Sequence, residues 1–330
     1  MSTCRALIAA VAAVVVATAP PAAAQTPASW PTSPLTMVVP FAAGGPMDTI
    51  GRIVAARLAE VLGQPVVVEN VGGAGGMTGT ARVAKAQPDG YQAVLGNIGT
   101  HAQNQTLYRH PLYNAATDFA AVALIAETPL VLIARKDLPA DDLPGFIAYA
   151  RANQDKMQFG SGGAGSATHI ACALLNGAIG VSTTHIPYRG GAPAIQDLIA
   201  GRIDYLCIDT PIAIPQIEAH AVKPIAILTR TRSPSLPTLA SAQEQGLANF
   251  EASNWCALFL PKGTPDAIVR RLHDAAVATM ETAAVQAQLQ RIGSTVVAPE
   301  RRSSDYLQKF VESEIARWAA PIKASGVTLN

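Results

Sequence analysis

Residues 35–40 form a short apolar run, residues 42–46 read Ala-Ala-Gly-Gly-Pro, and apolar side chains then recur at Ile50, Ile53, Val54, Leu58, Val61 and Leu62. This order predicts a strand, a glycine turn and a helix, because a short apolar run suits a buried strand and apolar residues three and four apart share one helical face. Gly63 ends that helix and residues 65–69 supply a second strand. A helix over 78–86, the turn Pro88-Asp89-Gly90 and a strand over 91–97 continue the rhythm. Strands that alternate with helices imply parallel pairing with helices on both sheet faces, so the fold class is α/β.

A long apolar stretch over 122–135, interrupted at Glu127-Thr128-Pro129, exceeds an ordinary strand and suits a crossing between two lobes. A second α/β series follows: helices over 143–153, 166–179 and 192–200, strands over 157–159, 184–188 and 203–208, and a short helix near 212–218. Residues 224–229 form a second candidate crossing strand. A turn-rich segment over 231–237 then leads to the apolar strand 255–260 and to helices over 265–282, 284–291 and 301–324. The expected organisation is therefore one lobe of residues 25–125 plus 229–330, a second lobe of residues 126–228, and a two-strand hinge. At 330 residues the chain is long enough for two such lobes.

The first 24 residues are set apart. Arg5 precedes an apolar run over 6–19, and Ala22-Ala23-Ala24 supplies small residues for cleavage. Pro20 and Pro21 end the run before the roughly 20 residues that a membrane span needs. The segment therefore reads as a signal peptide cut near Ala24, which places the mature protein in the periplasm. Without Arg5 the chain carries 23 basic and 23 acidic side chains. That balance offers no footprint for nucleic acid or a lipid surface. Cys4 leaves with the signal, and Cys172, Cys207 and Cys256 read as small buried hydrophobes, with a bridge between Cys172 and Cys207 left open.

In open parallel sheets, ligands bind beyond the carboxyl ends of strands, where helix N-termini present unpaired N–H groups. Two segments have that construction. Phe41, Ala43, Gly44, Gly45 and Asp48 belong to the first turn, and Ser161, Gly163, Ala164, Gly165, Ser166 and His169 to its counterpart in the inserted series. Glycine permits close backbone approach to an anion, while Ser161, Ser166 and Thr168 add hydroxyls, so a carboxylate can be held without arginine. One helix terminus contributes only about 0.3 to 2 kcal/mol, and micromolar binding needs about 8 kcal/mol. Several N–H groups in a closed, dry cleft are therefore required.

The stretches VVPFAAGGPMDTIGR, GQPVVVENVGGAGG, PDGYQAVLGNIGTHAQNQTLY, FGSGGAGSATHIA, HIPYRGGAPAIQDLIAGRIDYLCID, LPTLASAQEQGL and NWCALFLPKGTP, in this order, resemble the substrate receptors of tripartite tricarboxylate transporters, the Bug family. The resemblance implies a two-lobed periplasmic-binding-protein fold of type II-like topology, a small carboxylate ligand held by the two turns, a membrane permease as partner, no cofactor and no catalysis. The candidate ligands are di- and tricarboxylates, aromatic carboxylates and acidic amino acids. A monomer is expected. Met47, Cys172 and Cys207 depart from the residues usual in the family, and Met47 borders the first turn.

The remaining candidates sit at carboxyl ends of strands. Asn97, Thr100 and His101 follow the third strand and are expected to line the cleft. Tyr188 follows the strand over 184–188 and suits a ligand wall, whereas Arg189 suits a solvated surface. Asp209 suits either helix capping or recognition. Asp48 suits a helix start that organises the first turn through backbone N–H groups. His169 is balanced between capping, donation to a ligand and support of its loop. Residues 72–76 read as a tight glycine connection, and Trp255 as a side chain packed near the hinge. Gly160, Gly162 and Gly165 match the spacing of a dinucleotide fingerprint, but no Asp or Glu occurs over 157–196 to bind a ribose. A hydrolase built on Ser161 or Ser166 with His169 lacks a carboxylate placed to orient the imidazole. A sensory adaptor on the same fold is the alternative to a transport receptor.

Overall fold

The computed structural model describes residues 30–330 apart from 249 and 325, so the expected signal peptide lies outside the described residues. Strands β1 (Leu35–Val39), β2 (Val66–Asn70) and β3 (Gln92–Asn97) alternate with helices α1 (Pro46–Leu62) and α2 (Met77–Ala84), and β1 lies between β2 and β3 in parallel pairing. Helix α1 illustrates the local logic. Ile50, Val54, Leu58 and Leu62 recur at four-residue spacing and are buried, and Gly63 ends the helix in the left-handed region at φ 70°, its N–H returning to the Ala59 carbonyl. Burying a side chain such as Leu58 stabilises the lobe by about 1.5–3 kcal/mol.

The sequence leaves β3 through a π-helical turn over 99–103 and the short helix α3 (Asn104–Leu107), then enters β4 (Phe119–Arg135). This 17-residue strand is unbroken, contrary to the length expected of one strand, because it serves both lobes. As far as Pro129 it pairs antiparallel with β9 (Ser253–Pro261). From Leu130 it pairs with β7 (Tyr205–Asp209), and from Val131 with β8 (Val222–Ile227). Pro129 has no N–H to donate and falls where the partner changes.

The inserted lobe contains α4 (Leu143–Asn153), β5 (Gln158–Ser161), α5 (Ala167–Ile179), β6 (Thr184–Pro187), α6 (Gly191–Ile199), β7 and α7 (Thr210–Glu218). Strand β5 pairs in parallel with β6 and β7, whereas the pairs around β4 are antiparallel, so each lobe has a mixed sheet. Side chains alternate across it. Leu130, Leu132 and Ala134 of β4, with Tyr205 and Cys207 of β7, enter one core, and Val131, Ile133, Leu206 and Ile208 enter the core on the opposite face. Cys172, Cys207 and Cys256 are buried free thiols, and the Cys207 N–H donates to the Cys172 sulfur at 2.9 Å.

The return crossing differs from the expected one. Strand β8 stays on β4 within the inserted lobe, and the chain crosses back at Ala252–Ser253 as it enters β9. Leu236, Ala242, Phe250 and Ala252 pack into the inserted lobe's cores, and the Ala252 N–H donates to the Leu228 carbonyl at 2.7 Å. Leu236, Ala242, Phe250 and Ala252 therefore pack with that lobe, not with the first as a boundary at 229 implied. They are too irregularly spaced to mark the packing in sequence. Helices α8 (Asp266–Glu281) and α9 (Ala283–Arg291), the two-residue strand β10 (Thr295–Val296) and α10 (Ser304–Ala324) complete the first lobe. Among the described residues no helix is long and apolar enough to cross a membrane.

Candidate functional site

Between the lobes, in their closed arrangement, lies a small cavity of about 20 Å³. The first lobe lines it with Phe41, Pro46, Met47, Asn97 and Asn254, and the inserted lobe with residues from the β5–α5 turn together with Gly191, Ile208 and Asp209. The N-terminal ends of α1, α5 and α6 thus meet at one space, each directing backbone N–H groups and a partial positive charge toward it. No Lys or Arg occurs among the described residues that line it.

The first turn is held by Asp48. Its carboxylate accepts the Gly44 N–H at 2.8 Å and the Arg52 Nε–H at 3.0 Å, and a second oxygen lies 3.0 Å from the Arg52 guanidinium. Burial alone would raise the carboxyl's pKa, but Arg52, the Gly44 N–H and Asn70 together keep it below the ordinary value. Asp48 therefore shapes the loop from below, while Phe41 and Met47 supply apolar wall.

The second turn is organised by hydroxyls. Thr168 Oγ accepts the Gly162 N–H at 2.9 Å and lies 3.0 Å from Ser166 Oγ, which caps α5 by accepting the His169 N–H at 3.3 Å. Whichever hydroxyl of the Ser166–Thr168 pair donates to the other, one O–H proton is left available to the cavity. His169 supports this turn, its Nδ1 accepting the Gly165 N–H at 3.2 Å, which assigns that nitrogen as unprotonated. Burial brings the His169 pKa down to about 4.

The lobes touch around the cavity. The Ala42 N–H donates to the Arg189 carbonyl at 3.1 Å, and the Tyr108 hydroxyl donates to the Ala164 carbonyl at 2.9 Å. A Cβ on Gly75, at φ 59°, would overlap the Ala164 carbonyl oxygen and lie 2.8 Å from the Gly165 carbonyl carbon. One on Gly163, at φ 121°, would lie 3.3 Å from the Gly75 nitrogen across the cleft and 2.8 Å from the Tyr188 carbonyl of its own lobe. Glycine at these positions is what lets the lobes come together.

Of the residues singled out in the sequence, Phe41, Met47, Asn97, Ser166, Thr168 and Asp209 line the cavity. Ala43 and Gly44 are exposed at its rim, Gly45 lies close to Gly191 of the opposite lobe, and Gly163, Ala164 and Gly165 sit in the turn that meets residue 75. Thr100 stands behind Asn97, its N–H donating to Asn97 Oδ1 at 3.0 Å.

Ser161, His101 and Tyr188 are directed away from the cavity. The Ser161 hydroxyl shares a 2.7 Å hydrogen bond with His185 Nε2 and accepts the Gly163 N–H at 3.1 Å, on the far side of the loop. His101 is fully buried and stacked on Phe259 at 3.8 Å, because the π-helical turn rotates it into the core. Tyr188 directs its hydroxyl to Asp197 at 2.8 Å. Trp255 is buried against α10, where its indole N–H donates to Glu314 at 3.0 Å.

Asn254, Ile208 and Gly191 contribute more to the cavity than their sequence neighbourhoods suggested. Asn254 had one available signal, a lone amide opening an otherwise apolar strand. The others became visible only once turns distant in sequence met.

Two α/β lobes, joined by paired crossings and closed upon a cavity rich in N–H donors, define a solute-binding receptor with the periplasmic-binding-protein fold. Residues 50–327 match the tripartite tricarboxylate transporter family receptor, and the chain belongs to that family. Three solved structures resemble it over nearly their whole lengths. The periplasmic binding protein BugD is 37% identical with a TM-score of 0.88, covering 91% of this chain and 99% of its own. MatC from Rhodopseudomonas palustris with bound malate is 38% identical with a TM-score of 0.86, covering 89% of this chain and 100% of its own. A second R. palustris protein, solved with adipate, is 36% identical with a TM-score of 0.86, covering 91% of this chain and 99% of its own.

Proposed function

We propose that this protein captures a small carboxylate between its lobes in the periplasm and, as a monomer, delivers it to the membrane permease of a tripartite transporter. The observation that carries this reading is the cavity itself. Three helix N-termini and one available hydroxyl proton converge on a space without Lys or Arg. Such a site favours an anion through oriented N–H groups, and each terminus adds about 0.3 to 2 kcal/mol once water is excluded. Malate and adipate in two solved relatives support the carboxylate class. In this reading the open lobes meet around the ligand, and the Ala42–Arg189 and Tyr108–Ala164 hydrogen bonds form on closure.

The test is calorimetry of the mature chain against di- and tricarboxylates, aromatic acids and acidic amino acids, paired with small-angle scattering. At least one carboxylate should bind with micromolar or tighter affinity and reduce the radius of gyration. Absence of binding across all these classes would overturn the reading.

A further inference from the structure

The cavity has two chemically different sides. Toward Ser166, Thr168 and the helix N-termini it presents donors, and toward Asp209 and Asn254 it presents acceptors. Asp209 Oδ1 accepts from Asn254 Nδ2 at 2.7 Å, and both side chains are buried. That bond sets the orientation of the amide, since the reverse would press two oxygens together. Asn254 Oδ1 is then left buried without a hydrogen-bond partner among the described residues. Asp209 begins α7 yet makes no capping bond to it, so its carboxylate is not used by the helix it precedes.

A buried acceptor without a partner is costly, and native structures retain one where something else satisfies it. A carboxylate ligand lacking other polar groups cannot do so. A plain dicarboxylate would instead set a second anion against Asp209, with no cation among the described lining residues to separate them. Burial raises the Asp209 pKa to about 6, with the Asn254 bond offsetting part of the effect.

We infer that the ligand carries a hydrogen-bond donor close to its anchored carboxylate, a hydroxyl or an ammonium group, and that Asp209 and Asn254 Oδ1 receive it. The inference rests on the carboxylate-receptor reading and narrows it to hydroxy- and amino-substituted acids. The placement adds a role in closure. Asp209 ends β7 in the inserted lobe and pairs with Leu130, while Asn254 begins β9 in the first lobe and pairs with Thr128, so the two flank the crossing at Pro129. A donor lodged between them ties the lobes together at the hinge side of the cavity.

The experiment compares, by calorimetry on the mature chain at neutral pH, the hydroxy, amino and unsubstituted acids of whichever carbon skeleton binds most tightly. For four carbons these are malate, aspartate and succinate. At least one substituted acid should bind ten-fold or more tightly than the unsubstituted one. In Asp209→Asn, checked for folding by circular dichroism, that ratio should fall below about three-fold; Asn254→Ala provides the same check if the first variant does not fold. An unsubstituted acid that binds within three-fold of both substituted ones, or an undiminished ratio in a folded variant, overturns the inference and leaves the receptor reading intact. Failure of every carboxylate to bind overturns the receptor reading instead.

Discussion

The hydroxyl of Tyr108, at the end of α3 in the first lobe, donates to the main-chain carbonyl of Ala164 in the glycine turn of the inserted lobe, 2.9 Å away. This bond spans the cleft and belongs to the closed arrangement. Tyr108→Phe keeps the ring and removes only the donor. A net hydrogen bond contributes about 0.5–1.5 kcal/mol, so the variant should bind its carboxylate roughly two- to ten-fold more weakly with little change in unfolding midpoint. Calorimetry beside a thermal melt checks this; unchanged affinity would show that the bond adds nothing to closure.

Gly75 meets the same turn from the other side. Alanine there puts a Cβ onto the Ala164 carbonyl and forces a positive φ that costs about 1–2 kcal/mol. The expected outcome for Gly75→Ala is a folded protein whose radius of gyration no longer shrinks with ligand and whose affinity falls at least ten-fold. Compaction equal to wild type would mean the lobes tolerate the added carbon.

Asp48 acts on the first turn through the Gly44 N–H and Arg52. Asp48→Ala leaves that N–H without its acceptor and should lower stability by about 1–2 kcal/mol, read from urea unfolding, while also weakening ligand binding. Full affinity in a destabilised variant would separate loop support from recognition.

Stability should fall as the solution is acidified from pH 7 to pH 5. Burial holds His101 down to about 3 and His169 to about 4, and burial together with neighbouring His169 holds His185 to about 3, from an ordinary value of 6.5. Over that interval the unfolded chain binds more protons than the native one. The contribution of these groups is therefore fully present above about pH 6.5 and is lost as the pH drops. Asp209, raised to about 6, acts in the opposite sense, its contribution present below 3.8 and lost as pH rises through 6, so it offsets part of the decline. His101 alone should account for on the order of 2 kcal/mol between pH 6.5 and 5. Chemical unfolding across this range should give a shallower slope for His101→Phe; an identical slope would refute the assignment.

What the sequence determined by itself is local. Strand, glycine turn and helix follow from spacing around Gly44, Gly63 and Gly163, and the family from ordered motifs, because φ limits and apolar periodicity act within a few residues. What only the tertiary structure decided is direction and partnership. Ser161 and Ser166 stand five residues apart in one loop, yet one hydroxyl meets His185 and the other the cavity. Leu236, Ala242, Phe250 and Ala252 join the inserted lobe although nothing periodic marks them. Asp209 and Asn254, 45 positions apart, become a pair because one long strand passes between the lobes and brings the ends of β7 and β9 to either side of Pro129. Such meetings depend on how whole sheets pack and cross, and no short stretch of chain encodes them.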